Sequence, residues 1–135
     1  MIYSIGYQKL TLDELKQILE QYNISLLIDV RSVPYSRKPQ FNRKRLEQVF
    51  GSDSYVWKGD ILGGKYGPAT EEGIDFLLQH DKQKNQILMC LETDPRDCHR
   101  YQDIGIRLLQ RGVEANHIIS DIIKKTSEIL KQNVY

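Results

Sequence analysis

The sequence predicts an α/β fold: a single three-layer domain, Rossmann-like, with a mainly parallel sheet and helices on both faces. Short apolar runs at 2–6, 24–30 and 86–92 have the length and composition of buried strands. Stretches of helical period lie between them. Strands separated by helices imply parallel pairing through right-handed crossovers.

In chain order, residues 2–6 (IYSIG) read as a short buried strand ending at Gly6. Thr11 and Glu14 form a capping box ahead of Leu12, Leu15, Ile18, Leu19 and Tyr22. Residues 24–30 (ISLLIDV) are apolar enough for a strand covered on both faces. The stretch 31–41 holds Pro34 and Pro39 and is too broken for regular structure. Asn42 is placed to cap a short helix through Leu46, Val49 and Phe50. Residues 54–62 read as one or two extended segments, and 63–68 (GGKYGP) as a loop. Thr70 opens a helix with Ile74, Leu77 and Leu78 on one face. Residues 86–92 (QILMCLE) form another buried strand. Asp94 and Pro95 look like the cap and first turn of a helix lasting to about Gly112. Residues 117–120 (HIIS) read as the last strand, and the tail with Ile122, Ile123, Ile129 and Leu130 as a docking helix. No repeat or linker divides the chain, so residues 1–135 are expected to fold as one domain.

Nineteen basic residues against eighteen acidic ones leave a net charge of +1, so global charge selects no class of partner. No apolar stretch has the length of a membrane span, and the start lacks the form of a signal peptide. Two cysteines are too few for a disulfide scaffold of this size. The expectation is a cytoplasmic protein with free thiols.

Open parallel sheets bind ligands beyond the carboxyl ends of their strands. Here those ends carry Gly6-Tyr7, Asp29-Val30-Arg31-Ser32 and Glu92-Thr93-Asp94, so polar residues of three segments should meet at one edge. The segment 31–45 holds Arg31, Arg37, Lys38, Arg43, Lys44 and Arg45 and no acid, with Tyr35 and Phe41 among them. It offers charges for phosphates and rings for bases, although a solvated loop has the same composition.

The densest stretch is "CLETDPRDCHRY", 90–101. A helix starting at Asp94 would present free N–H groups and a positive dipole end to an anion. The same field would lower the Cys98 thiol pKa, with Arg96, Arg100 or a protonated His99 adding to it. Cys98 also lies on the stripe of Tyr101, Gly105 and Leu109, so a packing role competes. His99 is the better acid–base candidate, and Cys90 reads as core. Zinc ligands usually come in closely spaced pairs, whereas Cys90 and Cys98 belong to different elements; no metal and no other cofactor is expected. "LGGKYG" lacks phosphate-loop spacing and reads as a turn, or as a flap with Lys65 reaching inward. Tyr55 and Trp57 could stack on a base or simply pack. His117 reads as a satisfied near-core residue and His80 as solvent-facing.

Taken together and in order, "YSIGY", "IDVRSVPYSRKPQFN", "LGG" and "CLETDPRDCHR" resemble the DUF488 family. That family reads D-V-R-x-x-P-x-S-R, then P-x-F, L-G-G and C-x-E-x-x-P-x-x-C-H-R. Its motif positions fall here on Asp29, Arg31, Pro34, Ser36, Arg37, Phe41, Gly63, Gly64, Glu92, Cys98, His99 and Arg100. Where many relatives have G-H-S after the first strand, this chain has Gly6-Tyr7-Gln8. The resemblance implies a compact α/β domain with a polar site shared by these motifs, and supplies no reaction.

The leading expectation is an enzyme, a hydrolase or transferase, acting on a phosphate-bearing substrate such as a nucleotide or nucleic acid. Arg31, Arg37 and Arg100 would hold the anion with Ser36 and Tyr7 beside them. Asp29 or Glu92 would orient groups, and His99 would transfer protons together with Cys98. The alternatives are a non-catalytic nucleic-acid-binding module using the 31–45 arm and a small-ligand sensor. Replacing Arg31 or Arg100 by alanine is expected to weaken phosphate binding by about 1.5–3 kcal/mol and to change unfolding stability much less.

Overall fold

A computed structural model describes residues 1–81 and 84–132 of the 135-residue chain. The chain order is β1 (Ile2–Gly6), α1 (Leu12–Gln21), β2 (Leu26–Asp29), α2 (Arg43–Phe50), β3 (Tyr55–Trp57), α3 (Gly59–Leu62), α4 (Glu71–Asp81), β4 (Gln86–Cys90), α5 (Ile106–Gln110), β5 (Ala115–Ile119), β6 (Ile122–Lys125) and α6 (Thr126–Gln132). A 3₁₀ turn spans Pro39–Phe41, another spans Pro95–Asp97, and a π-helical stretch runs Arg100–Gly105.

The strands form one six-stranded sheet in the order β3-β2-β4-β1-β5-β6. All pairs are parallel except the terminal β5–β6 pair. The fold is thus the expected α/β domain with a mostly parallel sheet and interleaved helices.

Strand parity divides the core. Ile28, Val30, Leu88 and Cys90 pack on one face with Leu62, Ile74, Leu77, Ile104 and Leu108 from α3, α4, the π stretch and α5. Tyr3, Ile5, Leu27, Ile87 and Met89 pack on the other with Leu15 of α1 and Leu46 of α2. The Thr11–Glu14 capping box forms as expected and fixes the start of α1. Among the described residues, no helix is long and apolar enough to cross a membrane.

Three local expectations need correction. Residues 59–62, expected to be extended, make the short helix α3, because Gly59 packs under the backbone of Arg31 and turns the chain. Asp94 caps a 3₁₀ turn through the Arg96 N–H rather than an α-helix running to Gly112. The chain is extended at Cys98 and regains regular α geometry only at Ile106. Finally, Ile122 and Ile123 belong to the antiparallel strand β6, and only the following residues are helical.

Candidate active site at the carboxyl edge of the sheet

The ladder between the central strands β1 and β4 continues past both strand ends. Tyr7 N–H donates to the Cys90 carbonyl and Gln8 N–H to that of Leu91. This close approach requires Gly6, since a Cβ there would lie 1.7 Å from the Glu92 carbonyl oxygen. β2 ends beside them, and Val30 N–H donates to the Met89 carbonyl. Three strand ends therefore open into one cleft of about 460 Å³, whose walls include Tyr7, Arg31, Glu92, Cys98 and His99. A slightly larger cavity of about 510 Å³ lies near the start of β2, lined by Lys16, Asn23 and Phe50 among others. It contains no cysteine or histidine.

Residues 29 and 31 point to the same side of the extended chain, which makes Asp29 and Arg31 a buried pair. Arg31 donates from Nε to Asp29 Oδ1 at 2.8 Å and from Nη2 to Oδ2 at 2.7 Å. Its Nη1 donates to the Tyr7 hydroxyl at 3.2 Å, and Tyr7 stacks on Phe41. The Tyr55 hydroxyl donates to Asp29 Oδ2 at 2.6 Å. Burial works against the Arg31 charge, but the bonds to Asp29 outweigh it and raise the pKa. Burial first, then the Asp29 charge, pushes the Tyr55 phenol up. Trp57 Nε1 donates to the Arg31 carbonyl, so Tyr55 and Trp57 support the Arg31 loop from behind.

On the other side of the sheet, His99 Nδ1 faces two sulfurs, Cys98 Sγ at 3.6 Å and Cys90 Sγ at 3.9 Å. His99 Nε2 lies 3.0 Å from the Val30 carbonyl. That oxygen can only accept, so Nε2 carries the hydrogen and Nδ1 is the atom turned to the sulfurs. Gly64 backs the ring; a Cβ at that position would stand 2.9 Å from the imidazole. Glu92 Oε2 lies 3.5 Å from Cys90 Sγ.

The Cys98 thiol is held far below its ordinary range. The hydrogen bond from Cys90 contributes most, and against burial His99, the Arg100 charge and the Arg100 backbone N–H add to it. Cys90 moves up correspondingly through the same bond and through burial. Burial would lower His99, but the hydrogen bond to Cys98 and the Cys98 charge raise it.

Not every expected residue reaches the cleft. Asp29 lies behind Arg31, fully buried. Ser36 and Arg37 stand away from the cleft walls. The Ser36 N–H donates to Asn42 Oδ1, and the Arg37 side chain is exposed. Arg100, read as an anion ligand, is wholly buried beneath the floor. It donates from Nη1 to the Glu92 carbonyl, from Nη2 to the Thr93 carbonyl and from Nε to Ser4 Oγ. The expected helix N-terminus near Asp94 is also missing as an anion site, because the turn there is three residues long and Asp94 pairs with Arg96. Gln102 and Cys90 line the cleft without having been singled out for it. Cys90 had a usable signal: as the last residue of a central strand it sits where ligands bind.

Residues 11–68 match the DUF488 family, a domain of unknown function. No curated protein and no solved structure matches the chain. The DUF488 match contains the Asp29–Arg31 pair, the basic loop and the Gly63-Gly64 turn, whereas Cys90, Cys98 and His99 come from the sequence beyond it.

Proposed function

We propose that the protein is an enzyme, a hydrolase or transferase, that binds a phosphate-bearing substrate, a nucleotide or nucleic acid, in the cleft at the carboxyl edge of the sheet. The observation that carries this reading is Tyr35, a side chain that is 77% exposed and lines the same cleft as Cys98 and His99. Large exposed rings are stacking surfaces for bases, and this one lies within the acid-free segment 31–45. Lys65 lines the same cleft and makes no ion pair among the described residues; its backbone N–H donates to Ser32 Oγ, and its Nζ lies 5.4 Å from the Tyr66 ring centroid. A base on Tyr35 and a phosphate near Lys65 would bring the rest of the substrate to the Cys98–His99 floor.

Calorimetric titration with a nucleoside monophosphate and with a short single-stranded oligonucleotide tests this. The monophosphate should bind, and Tyr35→Ala should weaken it by about 1–3 kcal/mol, the range for one stacked base. If neither probe binds, or if Tyr35→Ala binds as the parent does, the proposal fails. Binding confined to the oligonucleotide and lost steeply with salt identifies a non-catalytic nucleic-acid module instead.

A further inference from the structure

We infer that Cys90, Cys98 and His99 form a binding site for a thiophilic divalent cation, zinc by its ligand set, with the fourth coordination position open to the cleft. The donor atoms Cys90 Sγ, Cys98 Sγ and His99 Nδ1 all lie within 4.8 Å of one another. Zinc–sulfur and zinc–nitrogen bonds of about 2.3 and 2.0–2.1 Å at tetrahedral angles put a sulfur about 3.6 Å from an imidazole nitrogen on the same ion. The observed separations are 3.6 Å for Cys98 and 3.9 Å for Cys90. The two sulfurs lie within 4.8 Å of each other, and a shared tetrahedral ion would hold them about 3.8 Å apart, so binding asks at most for the sulfurs to draw together.

The surroundings have the form of a metal site as well. A ligating histidine normally gives its other ring N–H to a carbonyl or carboxylate, which fixes the tautomer and aims the lone pair. His99 does this through Nε2 and the Val30 carbonyl. The chain passes from extended at Cys98 to helical at His99, so these adjacent side chains are not driven to opposite sides as they would be in a strand. The spacing of the cysteines had argued against a metal because they belong to different elements. That argument fails, since the loop after β4 folds back and returns Cys98 to the face of the sheet that carries Cys90.

Three protein donors and one open position are the arrangement of catalytic rather than structural zinc. The open side faces the cleft, where Glu92 is the neighbouring carboxylate. The bound ion would polarise a substrate oxygen or a water at this point. The inference does not depend on the nucleotide proposal, because the metal alone is the probe.

The full chain, purified under reducing conditions and treated with a chelator, is titrated with cobalt(II) and then with zinc. One equivalent of cobalt should give sulfur-to-metal charge-transfer absorption and the visible bands of a tetrahedral site, which zinc abolishes. Cys98→Ser should bind zinc more weakly by more than the roughly 10–100-fold typical of losing an outer-shell partner. X-ray absorption on the zinc-loaded parent provides a measurement that needs no variant. Two sulfurs and one imidazole nitrogen around the ion support the site. An oxygen and nitrogen shell without sulfur, absent cobalt bands at one equivalent, or equal affinity in Cys98→Ser would overturn it.

Discussion

Asp29 grips Arg31 with both carboxylate oxygens, and the two side chains are 0% and 6% exposed. Two residues apart on an extended backbone, they point the same way, and the fold closes over them. A buried pair of this kind adds little over an apolar replacement of both partners, but losing one partner strands the other charge at about 3–5 kcal/mol.

Asp29→Asn should accordingly destabilise the protein by about 3 kcal/mol, because Arg31 stays charged with a neutral partner. Urea unfolding of parent and variant checks this. A change below about 1 kcal/mol would mean that water reaches Arg31 and the pair is not sealed.

Arg100→Ala should be more disruptive for stability than for binding, opposite to what the sequence suggested. The side chain is fully buried, and the change removes donors from the Glu92 and Thr93 carbonyls and from Ser4 Oγ. Each acceptor left unpaired costs about 1–3 kcal/mol, so a loss of about 3 kcal/mol or more is expected. Thermal unfolding gives the answer, and an unchanged midpoint would exclude the bracing role.

His117 supplies a pH dependence. Arg100 Nε donates to Ser4 Oγ, Ser4 donates to His117 Nδ1, His117 Nε2 donates to Thr126 Oγ1, and Thr126 donates to the Ala115 carbonyl. Every hydrogen in this chain is used when the ring is neutral, and a second ring proton would face a donor. Burial, then the Arg100 charge, lowers His117 to about 3, with the Cys98 charge acting the other way. The unfolded ring titrates near 6.5, so the unfolded chain takes up the proton first as pH falls. The contribution of His117 is complete above pH about 6.5 and is lost towards pH 3, by up to about 1.4 kcal/mol per pH unit. Urea midpoints at pH 7 and 5 should fall less in His117→Gln than in the parent; equal slopes would show that His117 is not responsible.

Gly64→Ala should disturb the floor without unfolding the domain. The added Cβ would press on the His99 ring, which would tilt away from the Val30 carbonyl. The His99 imidazole resonances should shift in NMR spectra, and the unfolding free energy should fall by about 1–3 kcal/mol, the range for an overpacked contact. Unchanged resonances would refute the contact.

The sheet was legible in the sequence because apolar runs and caps are local signals. Thr11–Glu14, the run before Asp29 and the run before Cys90 each sit where periodicity indicated. The Arg31 loop and the Cys98 turn do share an edge, since parallel topology leaves them no other place. What could not be read was the stretch after Asp94. A proline next to a capping aspartate opens a 3₁₀ turn as readily as an α-helix, and packing chose the turn. The commitment of Arg31 and Arg100 to partners inside the protein was equally invisible. Composition counts charges, whereas availability depends on what surrounds each one.

The position of β1 bears on how the molecule comes together. Ile2 lies beside Gln86 on one side and Ala115 on the other, so β1 is made well before either of its neighbours in the sheet. Pairings this remote close large loops before they return any stabilisation, which makes folding slow. The cleft, whose floor hangs from the β1–β4 ladder, is therefore among the last parts of the protein to take shape.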